Sequence, residues 1–175
     1  GHFNLKNSVL AIANNGGEDN FWEGEISPDH SQINIDDHSS LEERNIYYWV
    51  TKGRQYMIND LKFNKMNRKM VAIANSGRKR DNASFNPIFN TLEFGTGHRV
   101  FNNTAHSKDV ILHEYGHAVT HVIYGLQVSY EFRAMNEAFS DYFAATITED
   151  PDIGDDVMKT RPYLRTVENE FVYED

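Results

Sequence analysis

Residues 107–125 read SKDVILHEYGHAVTHVIYG, and this stretch decides both the fold and the chemistry. Ser107 is a good N-cap, with a hydroxyl able to accept a free N–H of the first turn, and Gly125 is a residue type that ends helices. The apolar positions between them recur at helical spacing, which predicts a helix from Ser107 to Gly125. On such a helix a four-residue step turns the chain by about 400°, so His113 and His117 project from one face, one turn apart. Two imidazoles so placed can grip one metal ion. Glu114 sits beside them and need not be a ligand, because a carboxylate just off a metal is placed to take a proton from an acidified water. Alone, the pattern also fits an amphipathic helix with exposed histidines, so a third ligand has to be found.

His121 continues the four-residue spacing. At about 1.5 Å per residue it lies roughly 12 Å along the axis from His113, too far to share a metal whose bonds are about 2 Å long. A third histidine on a glycine-turned chain would need glycine at position 120 and histidine at position 123, where Thr120 and Ile123 stand. A carboxylate from a second helix remains. The segment from about 131 to 148, ending before Pro151, has helical character and carries NEAFSD at 136–141. Glu137 then completes the ligand set across an antiparallel helix pair. Asp141, one turn beyond Glu137 on the same face, is expected to accept the free ring N–H of a metal-bound histidine, namely His113.

Upstream, FNLKNSVLAI and FWEGEI mix apolar and polar positions in short runs broken by Asn14-Asn15-Gly16-Gly17, which predicts strands joined by turns. Alternation at Ile33 and Ile35 predicts another short strand. Ser40 followed by Glu43 forms a capping box, and Ile46, Val50, Met57 and Leu61 keep helical spacing, so a helix is predicted over about 41–62. The Tyr47-Tyr48-Trp49 cluster on it reads as core. KMVAIA at 69–74 is a compact strand, and strand character returns from 85 to 101 through Phe89, Leu92 and Phe94. Strands first and helices later indicate an α+β arrangement with the helices on one side.

Composition excludes several classes. The 175 residues carry 17 Lys+Arg against 26 Asp+Glu, a net charge of -9, which disfavours general binding to nucleic acid. The basic cluster Arg78-Lys79-Arg80 runs straight into Asp81 and reads as a solvated loop. With no cysteine there is no disulfide framework, thiolate metal site or cysteine nucleophile. No apolar run approaches the roughly 18 residues of a membrane span, and the first residues, GHFNLKNSVL, lack the charged start and apolar stretch of a signal peptide. His98 and His106 have no partner legible in the sequence.

HEYGHAVT followed by NEAFSD, with Glu137 lying 20 positions after His117, resembles the thermolysin-like zinc metallopeptidases, or gluzincins, including the fungalysin-like branch. The resemblance runs from about residue 41 to 170 and is strongest over 109–141. It implies a zincin-like α+β fold: a mixed N-terminal sheet, a long helix and two antiparallel zinc-binding helices. Residues 1–150 would form the zinc-bearing N-terminal lobe, and 151–175 the start of a C-terminal lobe belonging to the full-length protein. The implied activity is endopeptidase cleavage, with Zn²⁺ held by His113, His117 and Glu137 and Glu114 as general base.

The same resemblance extends to the rest of the site. DNASF at 81–85 looks like the family's substrate-binding edge strand, so Asn82 and Ala83 would pair with a peptide backbone; Ser84-Phe85 stands where the family has two aromatics. Val110 and Leu164 would line a primed-side pocket for an apolar residue, and Arg165 would hold a substrate carbonyl. PDIGDDV at 151–157 resembles a calcium loop, implying Ca²⁺ at Asp109, Asp152 and Asp155, although Thr148, next to Glu149, occupies the position of a shared glutamate. Two departures stand out. Val128 falls where the family has an oxyanion-stabilising tyrosine, with Tyr130 two residues on, and no histidine follows His121, whereas the family has one in its C-terminal lobe. They keep open an alternative reading, a zinc-binding module that holds a peptide or partner without cutting it. Family membership would also imply a secreted protein, commonly made with a removable pro-segment.

Overall fold

The computed structural model describes residues 2–17, 21–23, 34–126 and 129–170. Its main sheet has four strands in the order β2-β4-β6-β5, where β2 is Leu10–Asn14, β4 Met70–Ser76, β5 Ala83–Asn86 and β6 Thr91–Gly95. β2, β4 and β6 run parallel, while β5 pairs antiparallel with β6 and closes one edge. Two further sheets have two strands each: β1 (His2–Asn4) with β3 (Phe21–Glu23), and β7 (Asp152–Ile153) with β8 (Arg165–Thr166). The arrangement is α+β, with the sheet packed under helices.

α1 spans Leu41–Asn59 and begins as the sequence predicts. The Ser40 hydroxyl accepts the Glu43 N–H at 3.3 Å, and the Glu43 carboxylate accepts the Ser40 N–H at 2.7 Å. Its buried stripe, Ile46, Val50 and Met57, packs into one core with Leu92 and Phe94 of β6 and with Ile111, Leu112 and Val119 of α2. Along β4 the buried positions alternate, and the small Ala72 and Ala74 on that face let the helices sit close. α2 runs Lys108–Tyr124, capped by Ser107, whose hydroxyl accepts the Val110 N–H, and stopped by Gly125 at φ 71, a conformation costly for any residue with a Cβ. α3 runs Tyr130–Thr148 from a Ser129 cap.

Several expectations fail for local reasons. Ile35 opens a one-turn 3₁₀ helix, Ile35–Asp37, and not a strand, because the Asn34 side chain accepts the Asp36 N–H and bends the chain. Ile33, like residues 24–26 of FWEGEI, lies outside the described residues. The strand expected over 85–101 is split by a turn in which the Asn86 side chain accepts the Ile88 and Phe89 N–H groups, leaving Phe89 72% exposed. In Tyr47-Tyr48-Trp49, three consecutive helical positions cannot share one face. Tyr47 and Trp49 pack on the core, and Tyr48 is exposed.

After β6 the loop is fastened by Asp81, whose carboxylate accepts the N–H groups of His98 (2.8 Å), Arg99 (2.7 Å) and Phe101 (3.1 Å). Desolvation pushes this carboxyl up, but the ring of backbone donors outweighs it and holds the group well below the usual carboxylate range. A pKa depressed on folding stabilises the fold above the unfolded value of about 4, and that contribution fades as the pH falls below it. Asp81→Asn should therefore melt a few degrees below wild type at pH 7, with the gap narrowing below about pH 4. Thermal melts across pH check this; a gap independent of pH would contradict it.

Candidate metal centre

α2 and α3 lie antiparallel, since partners on α3 fall in number as those on α2 rise: His113 meets Asp141, His117 meets Ser140, and Thr120 meets Asn136. Gly116 makes the approach possible. A Cβ there would lie 2.9 Å from the Ser140 Cα, a backbone atom that cannot step aside. Gly116→Val should push α3 away, costing about 1–3 kcal/mol of stability and weakening metal binding at least about tenfold, since ligands tolerate little displacement. Thermal melts and metal titration would register both effects; unchanged metal affinity would show that the close approach is not required.

Across this contact His113 Nε2 stands 3.2 Å from Glu137 Oε2, and His117 Nε2 stands 3.4 Å from Glu137 Oε1. The other ring nitrogens are engaged behind: His113 Nδ1 with Asp141 Oδ1 at 2.7 Å, and His117 Nδ1 with Ser140 Oγ at 3.1 Å. Those contacts orient both imidazoles with Nε2 toward Glu137. Ligands about 2.0–2.1 Å from a tetrahedral ion lie about 3.3 Å from one another. The spacing of the three groups therefore fits one small tetrahedral cation.

The electrostatics point the same way. Burial works against a charged His113, but Asp141 and Glu137 outweigh it and raise the ring's pKa to about 9. The pocket thus attracts positive charge. Hydrogen bonding to His113 holds Glu137 below its usual range. Asp141, pushed up by burial, is pulled lower overall by His113 and by Arg165, whose Nε donates to Asp141 Oδ2 and whose Nη2 donates to Oδ1 at 2.7 Å. Glu114 is buried beside the two histidines. Its carboxyl is raised by desolvation, partly offset by the two imidazoles and by the Phe85 N–H.

The centre opens into a cleft of about 350 Å³ that also contains Asn82, Ala83, Val110, Leu164 and Arg165, so the sequence-predicted substrate residues come together around it. Phe101, Thr104 and Ile153 line it as well and were not foreseen. Ser140 was also missed; the available signal was its place three residues after Glu137, on the same helical face. Tyr130, in contrast, is 90% exposed at the start of α3 and does not line the cleft, while Val128 lies outside the described residues. His121 packs against the ring of Phe85. His106 pairs with Glu42 at 2.7 Å, and His98 lies 3.9 Å from Asp81.

Near the N-terminus of α2, a second acidic group comprises Asp109, Asp155 and Asp156. Asp156 joins it where Asp152 was expected. Asp152 is occupied in β7, opposite Thr166, whereas the turn at Gly154, at φ 80, carries the following two aspartates toward Asp109. The Asp109 carboxylate accepts the Gly154 N–H, which fixes that turn on α2. Burial, and then the neighbouring Asp155 and Asp156 charges, lift Asp109 to about 6 despite the Gly154 and Val110 N–H groups.

Comparison with known proteins shows the family and the fold. Residues 6–121 match the family model described as thermolysin metallopeptidase, catalytic domain. Bacillolysin of Bacillus amyloliquefaciens is 30% identical over 141 residues, which cover 79% of this chain and 26% of the relative. Neutral protease NprE of Bacillus pumilus is 32% identical over 132 residues, 73% of this chain and 43% of the relative. The chain thus spans less than half the length of either relative. The precursor of protealysin, a metalloproteinase from Serratia proteamaculans, shares the fold with a TM-score of 0.72 over 91% of this chain and 53% of its own, at 19% identity. No described helix is long and apolar enough to cross a membrane. The chain belongs to the thermolysin metallopeptidase family.

Proposed function

We propose that this chain is the metal-bearing part of a zinc endopeptidase, with residues 1–150 as its N-terminal lobe and 151–175 leading into a further lobe. One observation carries the reading: two imidazole nitrogens and a carboxylate converge at tetrahedral spacing beside the buried Glu114, in a cleft bordered by the edge strand β5. The donor set of two histidines and one glutamate suits zinc with an open fourth position. When bound by His113, His117 and Glu137, zinc would acidify water and polarise a carbonyl. Glu114 then takes the proton of the attacking water on its carboxylate and passes it to the departing amine. Ala83, which opens the edge strand β5, and Asn82 just before it align an extended peptide as an added strand. Arg165, clamped by Asp141, retains N–H groups for a substrate carbonyl. Val110 and Leu164 favour an apolar primed-side residue.

The remaining features extend the proposal. Asp109 and Asp155, with Asp156, offer hard oxygen ligands suited to Ca²⁺, which would relieve their mutual repulsion. Met135, Phe139 and Tyr142 are exposed along one side of α3, a face that a C-terminal lobe of the full-length protein would cover. Family membership supports secretion and a removable pro-segment for the full-length protein. The exposure of Tyr130 favours the second reading, a zinc-binding module that binds peptide without cutting.

The zinc-loaded full-length protein, offered unstructured peptides that differ at one apolar or acidic position, should cleave preferentially on the N-terminal side of the apolar residue. No cleavage of any peptide would leave the module reading and end the enzyme reading.

A further inference from the structure

We propose that a cavity behind the metal helix is a binding site for a small amphipathic molecule of about phenol size. The cavity, about 130 Å³, lies between α1, the start of β2, the approach to β4 and α2. Leu10, Val50, Met66 and Met70 supply apolar walls. Thr51 and Tyr115 also line it, and each has a buried hydroxyl with no hydrogen-bond partner among the described residues.

Tyr115 is 2% exposed, and a hydroxyl so buried normally finds a partner. Its ring cannot easily turn away: α1 presses on it at Gly53, where an added Cβ would lie 3.0 Å from Tyr115 Cδ1. Arg54 also lines the cavity but makes no hydrogen bond to either hydroxyl; its Nε donates to the Met66 carbonyl at 3.0 Å and its Nη2 to Asn67 Oδ1 at 3.2 Å. Two unanswered hydroxyls beside apolar walls call for a ligand of matching character. An apolar cavity of about 150 Å³ accepts benzene. Here a ring of that size fits the aliphatic and methionine side chains, and one hydroxyl on it accepts from Tyr115 and donates to Thr51. Water alone would satisfy the hydroxyls but leave the apolar walls wet. None of the metal-binding residues or Glu114 lines this cavity, so it is a separate site.

Calorimetric titration of the zinc-loaded full-length protein with phenol and with benzene tests the proposal, alongside a crystal structure of the phenol-soaked protein. Phenol should occupy the cavity and bind about tenfold more tightly than benzene, the difference made by one satisfied hydrogen bond. Tyr115→Phe and Thr51→Val, each confirmed folded by circular dichroism, should bring the two probes close to parity. Density for ordered water only at saturating phenol, phenol seated elsewhere, or a preference for phenol that survives both substitutions would overturn it. Since no outcome depends on hydrolysis, failure of the peptidase reading would leave this result interpretable.

Discussion

Full-length protein carrying Glu114→Gln should bind one equivalent of zinc as tightly as wild type and hydrolyse peptide about 10²–10⁴ times more slowly, the range that a positioned general base contributes. The separation of binding from rate follows from the position of Glu114. It stands next to His113 in the chain, but it is not one of the three groups converging on the possible metal position. Glutamine keeps the size and shape of the side chain in this buried place, so the helix and the imidazoles should stay put. What it lacks is a carboxylate oxygen able to take and release a proton. Loss should therefore fall on kcat with KM little changed, because Asn82, Ala83 and Arg165 still align the substrate. Activity within tenfold of wild type would mean that another group carries the proton. Loss of zinc would mean that Glu114 is a ligand.

The parts of this structure legible in the sequence are those written in local chemistry. Ser40 with Glu43, and Ser107 with Gly125, announce α1 and α2 because caps act within one turn. His113 and His117 could be paired from helical geometry, and Glu137 and Asp141 follow once His121 is ruled out by distance. Ser140 was overlooked because a serine on a helix reads as ordinary, and only the contact at Gly116 gives it a ring nitrogen to meet. Exchanging Asp152 for Asp156 needed the Gly154 turn, a conformation that the sequence permits without requiring. The turn at Asn86 and the bend at Asn34 were missed for a related reason: short polar side chains that cap the backbone override an apolar pattern suggesting strand. The cavity beside Tyr115 has no sequence signature, since it arises from four elements distant in the chain.

The account stands or falls on the third ligand. His113 and His117 lie one turn apart on a single helix, a pairing that chance alone can produce, whereas Glu137 reaches them only if α3 docks at the Gly116 contact. Removing its carboxylate takes away one of three protein ligands and leaves both imidazoles in place. The loss should exceed the 10–100-fold typical of groups that merely support a ligand. The decisive measurement is zinc binding by metal-stripped full-length protein against a competing chelator, for wild type and for Glu137→Ala. One zinc per chain in wild type, with affinity lowered at least about a hundredfold in the variant, is the predicted result. Less than about half an equivalent in wild type after repletion, or zinc held as tightly by Glu137→Ala, would contradict it.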